Sequence, residues 1–131
     1  MAGWMVTGIW VLAAGVHLIP ATAVISKMRV EALYDVQITS PELELLLRHR
    51  ALLFAVVAAL LLAAAARPEL WLLAGALGLV SMLGYVVLAG QVGTEQAAVL
   101  RVSRVDVVVS LLLATALLAE YSGAISAPRG G

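Results

Sequence analysis

Four long apolar stretches alternate along the chain with short polar segments, at about residues 4–25, 41–66, 69–89 and 97–119. Each is near the roughly 20 residues that an α-helix needs to cross the hydrocarbon of a bilayer. The second is the most sharply bounded. Ser40 stands before Pro41, a helix-start pattern in which a serine oxygen caps an orphan amide and proline occupies the one position where its missing N–H loses no bond. Arg67-Pro68 closes it. The short turn there and a Gly-broken loop over residues 90–96 predict an all-α, antiparallel up-down four-helix bundle forming a single membrane domain over residues 1–131.

Small residues mark where membrane helices approach one another, and each stretch carries such a side. In the first it is Trp10, Ala14, His17 and Ala21, and in the second Ala51, Ala55, Ala58 and Ala59, continued upward to Arg48 and Glu44. In the third it is Ala74, Gly75, Gly78 and Ser81, ending on Tyr85. In the fourth it is Ser103, Asp106, Ser110 and Ala114, with Arg101, Arg104, Val108 and Thr115 on the opposite side. The first stretch also has the length of a secretory signal, with Ala21-Thr22-Ala23 like a cleavage site. The absence of Lys or Arg ahead of it and the interruption by His17 and Pro20 favour a retained span. Pro20 removes the helix bond to the Val16 carbonyl, which reads either as a kink or as a functional break. Residues 26–39 hold Lys27, Arg29, Glu31, Tyr34 and Asp35 and read either as a short interfacial helix or as a loop. The small, turn-rich tail after Glu120 is expected to fray.

Composition turns this pattern into a class. The chain is 63% hydrophobic and 12% charged, against roughly 25% charged in soluble domains, so the bilayer is its solvent. Zero net charge opposes a nucleic-acid partner, which needs a basic face. The lack of cysteine excludes disulfides, thiolate metal sites and a thiol nucleophile. Lys27, Arg29, Arg48, Arg50, Arg101 and Arg104 lie toward one end of the bundle, with Arg67 and Arg129 opposite. Basic loops stay in the cytoplasm, so this predicts both termini outside.

Turning the small-residue sides inward brings His17, Glu44, Arg48, Tyr85, Ser103 and Asp106 together near the cytoplasmic mouth. An acid at such depth costs about 2.5–3.5 kcal/mol on insertion scales and needs a partner or a wet cavity. Arg48 is the expected partner of Asp106, either as a structural pin between helices or as part of a substrate pocket. His17 is then a hydrogen-bonded packing residue or a general base. Arg50, about 200° round the helix from Arg48, is expected to snorkel to headgroups. His49, Arg101 and Tyr34 are candidate substrate contacts beside Glu44 and Ser103, since arginines at the mouth suit an anionic headgroup. The two histidines show no metal-ligand spacing, and no cofactor is implied. Gly-x-Ser-x-Gly, phosphate-loop and Gly-x-Gly-x-x-Gly motifs are absent.

His17-Leu18-Ile19-Pro20, Leu33-Tyr34-Asp35, the run Leu47-Arg48-His49-Arg50-Ala51-Leu52-Leu53-Phe54, Ser81 to Leu88 and Arg104-Val105-Asp106 resemble a group of small four-span bacterial membrane proteins to which no activity is assigned. Some of these carry a phosphopantetheine adenylyltransferase label, which this chain does not support, having neither a His-x-Gly-His motif nor a soluble α/β pattern. In size and span number the chain is also similar to DoxX-like proteins. The resemblance implies a small bacterial inner-membrane protein and a role for His49. Together these features lead to an expected membrane-embedded enzyme working by acid/base chemistry on a lipid-like or isoprenoid substrate. The alternatives are a non-catalytic subunit with a structural Arg48–Asp106 pair, or a small solute or proton carrier for which a homo-oligomer builds the path.

Overall fold

The computed structural model describes residues 3–126. It is helical throughout: α1 (Gly3–Ala21), α2 (Lys27–Tyr34), α3 (Pro41–Ala66), α4 (Trp71–Val92) and α5 (Ala97–Ser126), with single 3₁₀ turns at Thr22–Val24 and Pro68–Leu70. Four segments, Gly3–Val24, Pro41–Ala66, Pro68–Val92 and Ala97–Gly123, are long and apolar enough to cross a membrane. They close a ring in chain order, α1 against α3, α3 against α4, α4 against α5 and α5 against α1. Short connections between sequential neighbours give the up-down arrangement.

The local signals act as chemistry requires. Ser40 Oγ accepts from Leu43 N at 3.2 Å, and Pro41 fills the first helical position of α3. At the other end of α3 the Trp71 indole Nε1 donates to Ala64 O at 2.8 Å, a second bond to a carbonyl that already accepts from Arg67 N at 3.2 Å. Trp71 stacks there on Trp10 of α1, with centroids 6.1 Å apart. Gly93, at φ 70°, ends α4 in the left-handed region that a residue without Cβ adopts freely.

The small-residue sides face inward. Trp10, Ala14, His17 and Ala21 are all buried, as are Ala74, Gly75, Gly78, Asp106 and Ser110, while Val108 and Thr115 are exposed. The close approach is tightest on α4. A Cβ at Gly78 would stand 3.2 Å from Leu61 and 3.3 Å from Leu113, both fully buried. On α3 the face differs from the alanine side. Ala51, Ala58, Leu61 and Ala64 are buried, but Ala59 points outward.

The segment after α1 is a folded cap over the basic end of the bundle. Ser26 caps α2 through Arg29 N, and Asp35 ends it in the left-handed region at φ 51°. Two side chains of α2 then take both backbone groups of Ile38. Lys27 Nζ donates to Ile38 O at 2.8 Å, and Glu31 Oε1 accepts from Ile38 N at 2.9 Å. Gln96 Nε2, in the loop before α5, donates to Asp35 O. Val30, Tyr34 and Ile38 pack under this cap with Ala23 and Ala51 as a second small core. The fraying expected after Glu120 does not occur at its first residues, because α5 runs on to Ser126; residues 127–131, with Arg129, lie outside the described residues.

Candidate functional site

Beneath α2, between the ends of α1, α3, α4 and α5, lies a cavity of about 230 Å³. Its walls are mostly apolar, from Val16 and Pro20 on α1, Leu33 on α2, Phe54 on α3, Met82 on α4 and Val102 on α5. Into it come His17, Tyr34, Arg50, Ser81, Arg101 and Asp106. The most exposed lining side chains include Ile19 at 61% and Val105 at 42%. They belong to α1 and α5, so the mouth lies between these two helices, among side chains that face lipid.

His17 is 2% exposed and is held from both sides of its ring. Nδ1 stands 2.9 Å from Ala13 O and Nε2 stands 3.1 Å from Ser81 Oγ. A nitrogen that meets a carbonyl carries the hydrogen, so Nδ1 donates, and a neutral ring is then satisfied by Nε2 accepting from the serine hydroxyl. This bond crosses the bundle diagonal from α1 to α4. Phe54 sets the ring plane by an edge contact, with centroids 5.8 Å apart at 70°. A base that is oriented by a third group and reaches a hydroxyl is an arrangement suited to proton transfer.

Asp106 is 6% exposed and looks into the same cavity. Among the described residues it closes no ion pair. The positive charge that acts on it is Arg50. The Arg50 guanidinium carbon lies 4.9 Å from the Phe54 ring centre, 4.9 Å from that of Tyr85 and 5.3 Å from that of Tyr34. Three aromatic faces thus hold the cation at the cavity wall. Burial pushes the Tyr34 phenol above the ordinary tyrosine value of 10.0, while the Arg50 charge pulls the other way, and Tyr34 enters the cavity as a neutral hydroxyl.

This corrects the expected Arg48–Asp106 pair. Arg48 is already engaged, since its Nη1 donates to Glu44 Oε1 at 3.0 Å and its Nε to Val24 O at 3.1 Å. It ties α3 to the 3₁₀ turn that follows α1, where a carbonyl at a helix end lacks an intrahelical donor. Glu44 is therefore also outside the cavity, and Arg50 points into it where snorkelling was expected. His49 is exposed. Ser103 lines a different, shallow groove with Leu100, Arg104, Val107 and Val108. Tyr85 reaches the cavity only through Arg50. His17, Tyr34, Arg101 and Asp106 all line the cavity, Arg101 from a side of α5 that the sequence reading set opposite to Asp106. Ser81 and Phe54 join the site without having been assigned to it: Ser81 carried a helix-contact signal and Phe54 only its place in the run from Leu47, four residues from Arg50.

The fold and cavity define a small four-helix membrane-type bundle with a mostly apolar, laterally open pocket at its basic end, into which a few polar and charged side chains project. No family model, no curated protein and no solved structure matches the chain.

Proposed function

We propose that the protein is a small membrane-embedded enzyme that takes a lipid-like or isoprenoid molecule into the cavity beneath α2 and acts on it by acid/base chemistry. One observation carries the reading. Asp106 and Arg50, both costly at membrane depth, line a mostly apolar cavity without closing an ion pair on each other. A structural pair would meet directly and shut the space between them.

The size supports a lipid-like molecule. About 230 Å³ is below the roughly 300–1,000 Å³ of pockets that engulf a drug-sized ligand, so the cavity takes one end of a longer molecule. The mouth between Ile19 and Val105 leaves the remainder in the bilayer. Asp106 moves the proton, Arg50 stabilises developing negative charge, and Ser81, fixed against His17, presents its oxygen to the substrate. The basic residues cluster at the end of the bundle that holds the cavity, which supports placing it on the cytoplasmic side of a bacterial inner membrane with both termini outside.

The test is mass spectrometry of the lipids and small molecules retained by purified wild type, Asp106→Asn and a mouth-blocking Val105→Trp. A defined compound in wild type, its unconverted precursor in Asp106→Asn and neither in Val105→Trp is the expected result. Identical, unspecific lipid in all three folded proteins overturns the reading.

A further inference from the structure

We infer that the molecule received by this cavity is a singly charged oxyanionic amphiphile, its head docked on Arg50 and its apolar chain passing out between α1 and α5. The inference rests on the lipid-like substrate reading and adds what the head must be.

The manner in which Arg50 is held carries the argument. Aromatic faces attract a cation and fix its position without neutralising it, and although the Tyr85 hydroxyl also engages the guanidinium, one neutral hydroxyl takes only part of its five N–H groups. Those donors form a planar fork suited to an oxyanion. Among the described residues no carboxylate closes an ion pair with Arg50. Tyr34, Phe54 and Tyr85, the rings around it, are also the least flexible side chains available for holding a guanidinium still, so the fork is set before any ligand arrives.

The charge balance of the cavity points the same way. Arg50 and Arg101 contribute two positive charges and Asp106 one negative, while the hydrogen bonds of His17 fit a neutral ring. One positive charge is left over, and it stands on Arg101 at the exposed mouth, on the path that the head of a ligand takes to Arg50. A monoanion brings the balance to zero. A neutral lipid leaves it unchanged and a dianion reverses it. Arg101, exposed at the mouth, is placed to draw the head inward from the interface before Arg50 receives it.

Equilibrium binding of radiolabelled palmitate to the full chain in nanodiscs, with empty discs as background, tests this. Hexadecanol, of the same chain length and uncharged, and inorganic phosphate serve as competitors. Palmitate is expected to bind about tenfold or more tighter than hexadecanol, as a charge-assisted bond implies. Arg50→Gln should abolish that preference and leave hexadecanol binding unchanged. Arg101→Gln should weaken palmitate about threefold through loss of attraction at the mouth. If palmitate and hexadecanol bind wild type equally well and both variants behave like it, the anionic head is wrong and the lipid cavity stands. If neither binds, the lipid cavity reading falls with it. Inorganic phosphate competing as well as unlabelled palmitate overturns the amphiphile. Should Arg50→Gln fail to fold, the comparison of palmitate with hexadecanol in wild type and in Arg101→Gln still decides the question.

Discussion

Removing the bond between His17 and Ser81 isolates a direct hydrogen bond across the bundle diagonal from α1 to α4. Ser81→Ala deletes the hydroxyl that His17 Nε2 meets at 3.1 Å. The other ring nitrogen keeps its partner, because Ala13 O at 2.9 Å lies one turn back on the same helix and is available whether or not α1 packs. Only the Nε2 bond therefore depends on assembly of the bundle. Interhelical hydrogen bonds in membranes average about 0.6 kcal/mol and reach about 1.7. Ser81 has an alternative in the carbonyl of Leu77, four residues earlier on its own helix. The buried Nε2 acceptor has no such local substitute, which places the expected coupling near 1 kcal/mol. His17→Phe serves as the partner substitution because it keeps a ring against Phe54. A double-mutant cycle on reversible unfolding in mixed micelles, followed by far-ultraviolet circular dichroism, reads the coupling. Losses that add to within about 0.3–0.5 kcal/mol, the scatter of independent sites, would refute the diagonal tie.

Other substitutions separate the roles assigned above. Gly78→Ala should destabilise by about 1–3 kcal/mol, offset by up to about 1 kcal/mol of helix propensity, because its Cβ meets two fully buried leucines. Gly84→Ala, with nothing within 4 Å, should stabilise by about 0.5–1 kcal/mol in the same assay. Arg48→Gln should cost about 1 kcal/mol, since the pair with Glu44 is part-exposed, and should leave retention of the cavity ligand at the wild-type level by mass spectrometry. Burial raises the Tyr34 phenol above 10.0. Its stabilising effect is therefore whole below pH 10 and is lost above it, where the unfolded chain ionises first, by at most about 1.4 kcal/mol per pH unit. Tyr34→Phe should flatten the alkaline limb of a thermal-unfolding profile by that amount.

The fold was legible because in a bilayer two simple patterns settle it. Length of apolar run sets the spans, and small residues set the inward sides, so Trp10, Ala14 and His17 on α1 and Ala74, Gly75 and Gly78 on α4 could be oriented without coordinates. The cap was harder to read. Its stability comes from Lys27 and Glu31 closing on the backbone of Ile38, a contact between residues seven to eleven apart that leaves no period in the sequence.

The cavity was half legible, and the error lies in how the face of α3 was extrapolated. Its alanines suggest a side that carries Arg48 and Glu44 inward, but small residues surround a close approach without fixing its centre. The fully buried Leu61 marks the centre better. At 3.6 residues per turn, Arg50 lies about 20° from Leu61 round the helix and Phe54 about 20° to its other side, whereas Arg48 lies about 140° away. Large side chains buried in a membrane bundle must fill the axis, since lipid accepts leucine as readily as the core does and only packing holds it inside. A cation one or more turns above such a residue on the same line therefore enters the bundle, and one displaced from it by more than a right angle meets the neighbouring helix. Arg48 follows the second course to Val24 and Arg50 the first to Phe54, Tyr34 and Tyr85. Two arginines separated by a single histidine thus divide between holding the fold and furnishing the site, and the division is decided by one buried leucine three turns away.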